Sequence, residues 1–109
     1  MAKVKNPNDI VDALVSDYRM AFGDILKSVI MYGSAVTHEY KPGISDINIA
    51  IVLSDNSIEQ ITRSSALQKK WARMRVAAPF FMTPEYICRS LDTYPVEFLD
   101  MQGNYRVLY

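Results

Sequence analysis

The sequence predicts an α/β (α+β) domain in which helices pack against one mixed sheet. Two observations predict this class. Segments with helical and strand-like spacing of apolar residues alternate along the chain, and 50% of the residues are hydrophobic while 12 basic residues balance 12 acidic ones. A chain of 109 residues can bury one core but not two. We therefore expect residues 1–109 to form a single domain, either alone or as the N-terminal part of a longer protein.

The first helix is predicted to begin at Asn6-Pro7, an N-cap residue followed by proline at the first helical position. Apolar residues then recur at every fourth position as far as Gly23. They are Ile10, Leu14, Tyr18 and Phe22. This spacing is typical of an amphipathic helix with one buried face.

Two strands follow, separated by a Gly-Ser corner. The β-rich segment 26–32 ends abruptly at Gly33-Ser34, and a short helix is expected at residues 35–40. The turn signal at residues 41–43 precedes a second strand, predicted over residues 46–53. Because apolar residues occupy both faces of this second strand, we expect it to lie inside the sheet.

A third helix is predicted after the N-cap candidates at residues 55–57, ending before Pro79. Its apolar residues lie close to a helical stripe. They are Ile58, Ile61, Leu67, Trp71 and Met74. Residues 79–82 form a short strand candidate.

Thr83-Pro84 is another N-cap and first turn, here for a short helix at residues 86–91. A last strand is expected over residues 96–101, followed by a turn at Gly103-Asn104. The predicted order thus alternates helices and strands to the end of the chain.

Charge and cysteine usage exclude several classes of protein. The net charge is zero, which removes the strongest argument for nonspecific nucleic-acid binding. Residues 63–75 nevertheless hold five basic residues and no acid, which we interpret as a solvated helix face rather than a groove for nucleic acid or nucleotide phosphate. The single cysteine, Cys88, cannot form an intramolecular disulfide and is expected to be buried. The single histidine, His38, argues against a zinc cluster or a histidine-based triad.

No apolar stretch approaches the roughly 20 residues of a membrane span, and the first residues carry no signal peptide. We therefore expect a cytoplasmic protein without a membrane partner. The apolar residues Val107, Leu108 and Tyr109 should seek cover, either on the domain itself or in a homodimer contact.

Two features of residues 29–53 have a chemical use. Gly33 lets the backbone approach a ligand closely, Ser34 adds a hydroxyl, and the N-terminus of a following helix would favour phosphate. Asp46 and Asn48, two residues apart on a strand, would share one face and present oxygen atoms to a cation such as Mg²⁺.

In these residues the chain resembles the nucleotidyltransferase superfamily related to DNA polymerase β, which includes the minimal nucleotidyltransferases and the aminoglycoside adenylyltransferases. The signature of this family is a Gly-Ser corner, an Asp-x-Asp strand and a third carboxylate on a later strand. The resemblance implies that Gly33 and Ser34 bind the triphosphate of an NTP. It further implies that Asp46, Asn48 and Glu97 hold Mg²⁺ or Mn²⁺, with Asp46 and Glu97 catalytic; Asp100 is the alternative third carboxylate.

The implied activity is transfer of a nucleoside monophosphate from an NTP, with ATP the expected donor, to the hydroxyl of a small molecule, a protein or an RNA end. Asn48 departs from the family pattern, because a neutral amide replaces an aspartate at the metal site. The alternative is a catalytically impaired module that binds nucleotide or a partner protein, as antitoxin-like relatives do. Replacing Asn48 by Asp should distinguish the two, since only an enzyme would gain metal affinity and rate.

Overall fold

The computed structural model describes residues 4–89 and 104–109, and in them helices pack on a four-stranded mixed sheet. The strands are β1 (Leu26–Tyr32), β2 (Asn48–Leu53), β3 (Phe80–Met82) and β4 (Tyr105–Val107), in the spatial order β3-β2-β1-β4. Strand β1 runs antiparallel to β2 and β4, whereas β2 and β3 are parallel. The predicted fold class and the interior position of β2 are therefore confirmed.

Helix α1 (Val11–Phe22) continues from a 3-10 turn at Pro7–Ile10. The Asn6 Oδ1 atom accepts a hydrogen bond from the backbone N–H of Asn8 at 3.0 Å, which caps the turn as predicted. Gly23, with φ of +59°, ends the helix. The predicted apolar stripe is buried throughout: Ile10, Leu14, Tyr18 and Phe22.

The sheet has two different faces. The face toward α1 carries the main core, with these buried strand residues: Val29, Met31, Ile49, Ile51 and Leu53. The second face carries a smaller cluster around Ala50, Val52 and Met82, flanked by the partly buried Tyr32. Because residues two apart share a face, Asn48 lies on the second face.

One long helix was expected after β2, but the structure has two short ones, α2 (Ile58–Arg63) and α3 (Ser65–Ala72). Ser64 lies between them and is fully buried. Its hydroxyl donates to the Ile61 carbonyl at 2.8 Å and accepts from Gln68 Nε2 at 2.9 Å, so the side chain competes with regular helical bonding. Ile58, predicted to lie in the apolar stripe, is instead 83% exposed. Trp71 is buried, as predicted.

After β3, helix α4 spans Pro84–Arg89, and the Thr83 hydroxyl accepts from the Tyr86 N–H at 3.1 Å, as expected of an N-cap. The strand predicted over residues 96–101 lies outside the described residues. Strand β4 was not predicted, because its three residues have no local pattern and are held by β1. Within the described residues, no helix has the length and apolar character needed to cross a membrane.

Candidate functional site

The Gly-Ser corner and the start of β2 lie side by side. Tyr32, the last residue of β1, pairs with Asn48, the first residue of β2. The next residue, Gly33, has φ of +80°, and a Cβ atom placed on it would lie 3.2 Å from Asn48 Nδ2. Only glycine fits this conformation and this space without strain. The corner and the strand singled out in the sequence therefore meet through Gly33 and Asn48.

The helix expected at residues 35–40 is absent, because the chain after the corner forms only a 3-10 turn at Gly33–Val36. The Thr37 hydroxyl explains this difference. It donates to the Ser34 carbonyl at 2.9 Å and accepts from the Glu39 N–H at 3.1 Å, which ends the turn after four residues. The corner thus lacks the helix dipole that was expected to favour phosphate.

Ser34 itself is half-buried and makes no side-chain hydrogen bond within residues 4–89 and 104–109, so its hydroxyl is available to a ligand. The N–H of Gly33 is already engaged, since it donates to the Asn104 carbonyl at 3.0 Å. Of the two corner residues, Ser34 is therefore the one that can offer a hydrogen bond to phosphate.

Asp46 precedes β2 instead of opening it, which corrects the predicted strand start. The intervening residue, Ile47, forms an isolated parallel bridge with Val76. This bridge brings the Asp46 carboxylate to 3.0 Å from the Arg75 guanidinium, and the two side chains are 58% and 41% exposed. Asp46 is accessible to a ligand but is paired with a cation.

Arg75 is the site residue that sequence reasoning missed. Its guanidinium also donates to the Ile44 carbonyl at 2.7 Å, and its own carbonyl accepts from the Ile47 N–H at 2.8 Å. Its φ of +62° is rare for a residue other than glycine, and such backbone strain is often found at functional sites. The only signal in the sequence was its position at the end of the basic run.

The other basic residues of that run are exposed to solvent, as expected, but they do not share one helix face, because Arg63 lies in α2 and Arg73 lies beyond the end of α3. Lys69 and Arg73 are exposed, while Arg63 donates to Gln60 Oε1 and Lys70 pairs with Asp17. His38 is also exposed. Arg75 alone among the run's residues has a described contact with a predicted site residue.

The number of oxygen donors and negative charges at the site limits how many cations it could hold. The described oxygen donors are the Asp46 carboxylate and the Asn48 amide, and no group of three His, Cys, Asp or Glu residues suited to a metal occurs in the described part of the chain. One carboxylate and one amide oxygen are fewer ligands than the six or more oxygen atoms that a hard cation takes. These two donors do not suit two dications, because the single negative charge is already balanced by Arg75. Glu97 and Asp100 lie outside the described residues.

A comparison with known proteins adds no relative: no protein-family model and no curated protein matches the chain.

Proposed function

We propose that this domain binds a nucleoside triphosphate, ATP being the expected one, with Mg²⁺ or Mn²⁺ beside Gly33, and transfers its nucleoside monophosphate to an acceptor hydroxyl. The observation that supports this proposal is the contact of Gly33 with Asn48, two residues beyond Asp46. A phosphate-binding corner and a cation-binding strand must meet in this way if one ligand is to use both.

Four described residues take part in the proposed binding: Ser34, Arg75, Asp46 and Asn48. The Ser34 hydroxyl donates to a phosphate oxygen. Arg75 exchanges the Asp46 carboxylate for the phosphates, which leaves Asp46 and the Asn48 amide to hold the cation. The cation, when bound, offsets negative charge on the phosphate oxygens.

In the reaction, the acceptor oxygen forms a bond to the α-phosphorus. The bond from that phosphorus to the oxygen that bridges it to the β-phosphorus breaks. Pyrophosphate leaves with the bonding electron pair, and the proton of the hydroxyl passes to a carboxylate. Glu97 is assigned that role from the resemblance alone. The acceptor is a small molecule, a protein or an RNA end.

A second candidate is a module that binds nucleotide or a partner protein without catalysis. The observation that favours it is the pairing of Asp46 with Arg75 beside a neutral Asn48, which leaves these three side chains with no net negative charge. Such a site attracts phosphate through Arg75 but has little affinity for a cation.

Calorimetric titration with ATP, GTP, CTP and UTP, with and without Mg²⁺, tests both candidates without knowledge of the acceptor. An enzyme requires metal-dependent binding that is lost in Asp46→Ala and tightens in Asn48→Asp. Asp24→Ala is the matched control, since Asp24 is exposed and lies before β1, at the end of that strand away from the corner.

Binding that ignores both Mg²⁺ and Asn48→Asp would favour the module over the enzyme. If the folded native chain bound none of the four nucleotides, the nucleotide site itself would be excluded. Thermal melts of each variant confirm that the chain is folded.

A further inference from the structure

A cleft lies beside the 3-10 turn at Gly33–Val36. The sequence analysis did not assign a site there. It has a volume of about 550 Å³ and lies between the N-terminal segment, the turn and β4. Ala35 and Val36 of the turn and Tyr105 of β4 contribute to its wall. This volume is within the range of about 300–1,000 Å³ common for small-molecule sites.

The charge of the cleft has one sign. Lys5 and Arg106 contribute two permanent positive charges, and none of the lining residues is acidic. The Lys5 ammonium forms no salt bridge within residues 4–89 and 104–109. An anion entering the cleft would therefore meet two cations and no like charge.

Three side-chain oxygens that line the cleft are already engaged as acceptors. Asn6 Oδ1 accepts from the Asn8 N–H at 3.0 Å, Asn8 Oδ1 accepts from the Arg106 guanidinium, and the Thr37 hydroxyl accepts from the Glu39 N–H. The donors available to a ligand include the Lys5 ammonium and the further N–H groups of Arg106 and the two asparagine amides. The cleft is therefore complementary to a ligand group rich in acceptors.

We propose that this cleft binds the phosphate group of a small phosphomonoester, without a metal ion. Two positive charges and several free donors suit a dianionic group with three terminal oxygens better than a neutral ligand. The cleft is larger than a phosphate group, and Tyr105, 57% exposed, offers a ring face to the remainder of the molecule. This site goes beyond the proposed function, since it needs neither Asp46 nor Mg²⁺.

The test is calorimetric titration of the full chain with ribose 5-phosphate and with inorganic phosphate, in the absence of divalent metal. Ribose 5-phosphate should bind, and Lys5→Gln should weaken it about fivefold or more, as expected for loss of one charge-assisted hydrogen bond. Arg106→Gln should act in the same direction. Lys69→Gln is the matched control, because Lys69 is exposed and forms no salt bridge in the described part of the chain.

Three results would exclude an anion site in this cleft. They are no binding of either probe by the folded native chain, equal weakening of binding by Lys69→Gln and Lys5→Gln, and loss of binding in Asp46→Ala, which would place the anion at the Gly33 corner. Inorganic phosphate should bind more weakly than the sugar phosphate, because it does not reach Tyr105. Equal affinities would contradict the assignment to a phosphomonoester. Since nucleotide binding is measured with Mg²⁺ and Asp46→Ala, failure of one proposal leaves the other intact.

Discussion

The Asp46 carboxylate and the Arg75 guanidinium form an ion pair of 3.0 Å in which both side chains remain substantially exposed. Exposed pairs of this kind contribute only about 0–1 kcal/mol to stability. The placement of Arg75 nevertheless requires a strained backbone and a bond to the Ile44 carbonyl. We therefore expect Arg75 to affect mainly which ligands bind beside Asp46, and to affect stability little.

Arg75→Gln should leave the free energy of unfolding within about 1 kcal/mol of the native value. Metal-free nucleotide affinity should fall several-fold, because a phosphate-binding cation is lost, whereas affinity for Mg²⁺ alone should rise, because Asp46 is released. Calorimetry measures both, and Arg73→Gln, at an exposed arginine, is the control. Equal effects of the two substitutions would show that only the overall charge matters.

Gly33→Ala should lower both stability and nucleotide binding. The new Cβ meets Asn48 Nδ2 at 3.2 Å, and the positive φ adds strain, for a total cost of roughly 1–3 kcal/mol. Gly23→Ala is the matched control, since Gly23 also has positive φ but nothing lies within 4 Å of its Cβ position. Denaturant melts and titrations below the melting range separate the two effects, and normal nucleotide affinity in folded Gly33→Ala would contradict the site.

Tyr18→Phe should stabilise the protein. The Tyr18 side chain is fully buried, and its hydroxyl has no hydrogen-bond partner among the described residues. An unsatisfied buried hydroxyl costs about 1–3 kcal/mol, so its removal should raise the free energy of unfolding by roughly 1 kcal/mol at neutral pH. A thermal melt that shows a loss of stability would contradict this expectation.

Tyr18 should also affect the stability of the protein in alkali. Burial, with a further contribution from the charge of Asp17, raises the pKa of Tyr18 to about 12 from its ordinary value of 10.0. The stability associated with its neutral form is complete below pH 10 and is lost as the pH rises through 12. The loss amounts to roughly 2–3 kcal/mol at about 1.4 kcal/mol for each pH unit.

Urea melts between pH 9 and pH 12 should therefore show a shallower decline in Tyr18→Phe than in the native chain. Part of the decline will remain, because burial also raises the pKa of Tyr40, against a lowering effect of Arg75. Identical alkaline profiles for the two proteins would contradict the role of Tyr18.

The Asp17 carboxylate joins α1 to α3 through one oxygen, which accepts from Lys70 Nζ at 2.7 Å and from Trp71 Nε1 at 3.0 Å. Trp71 is buried, so Trp71→Phe should cost about 1–3 kcal/mol through lost packing and loss of the indole N–H bond to Asp17. A double-mutant cycle with Asp17→Ala should give a coupling of about 1 kcal/mol. Lys70→Gln should cost less, since its side chain is 57% exposed.

Local patterns predicted the parts of this fold that depend on neighbours in sequence. The stripe of α1, the bounds of β1 and the cap at Thr83 each follow from residues within one turn or one strand. The failures have different causes. Ser64 breaks a helix by bonding the backbone, and the Thr37 hydroxyl ends the turn after Ser34.

The same distinction between local and distant contacts applies to the candidate site. The Gly-Ser corner and Asn48 were identified from local motifs, and they meet because β1 and β2 pair antiparallel, which places one strand end against the next strand's start. The position of Arg75 could not be predicted from local patterns, since it depends on contacts distant in sequence, such as its bond to Ile44, 31 positions away. Glu97, assigned as the third carboxylate, stays a prediction.

Strand β4 has a consequence for how the chain folds. Its pairing with β1 extends to the Tyr109 carbonyl, which accepts from the Ser28 hydroxyl across 81 positions of sequence. Closing so long a loop is entropically costly, so this contact should form late. Until it forms, one edge of the apolar strand β1 is open to pairing with another copy. Aggregation during refolding should therefore depend on chain concentration, and a chain ending before Asn104 should aggregate most.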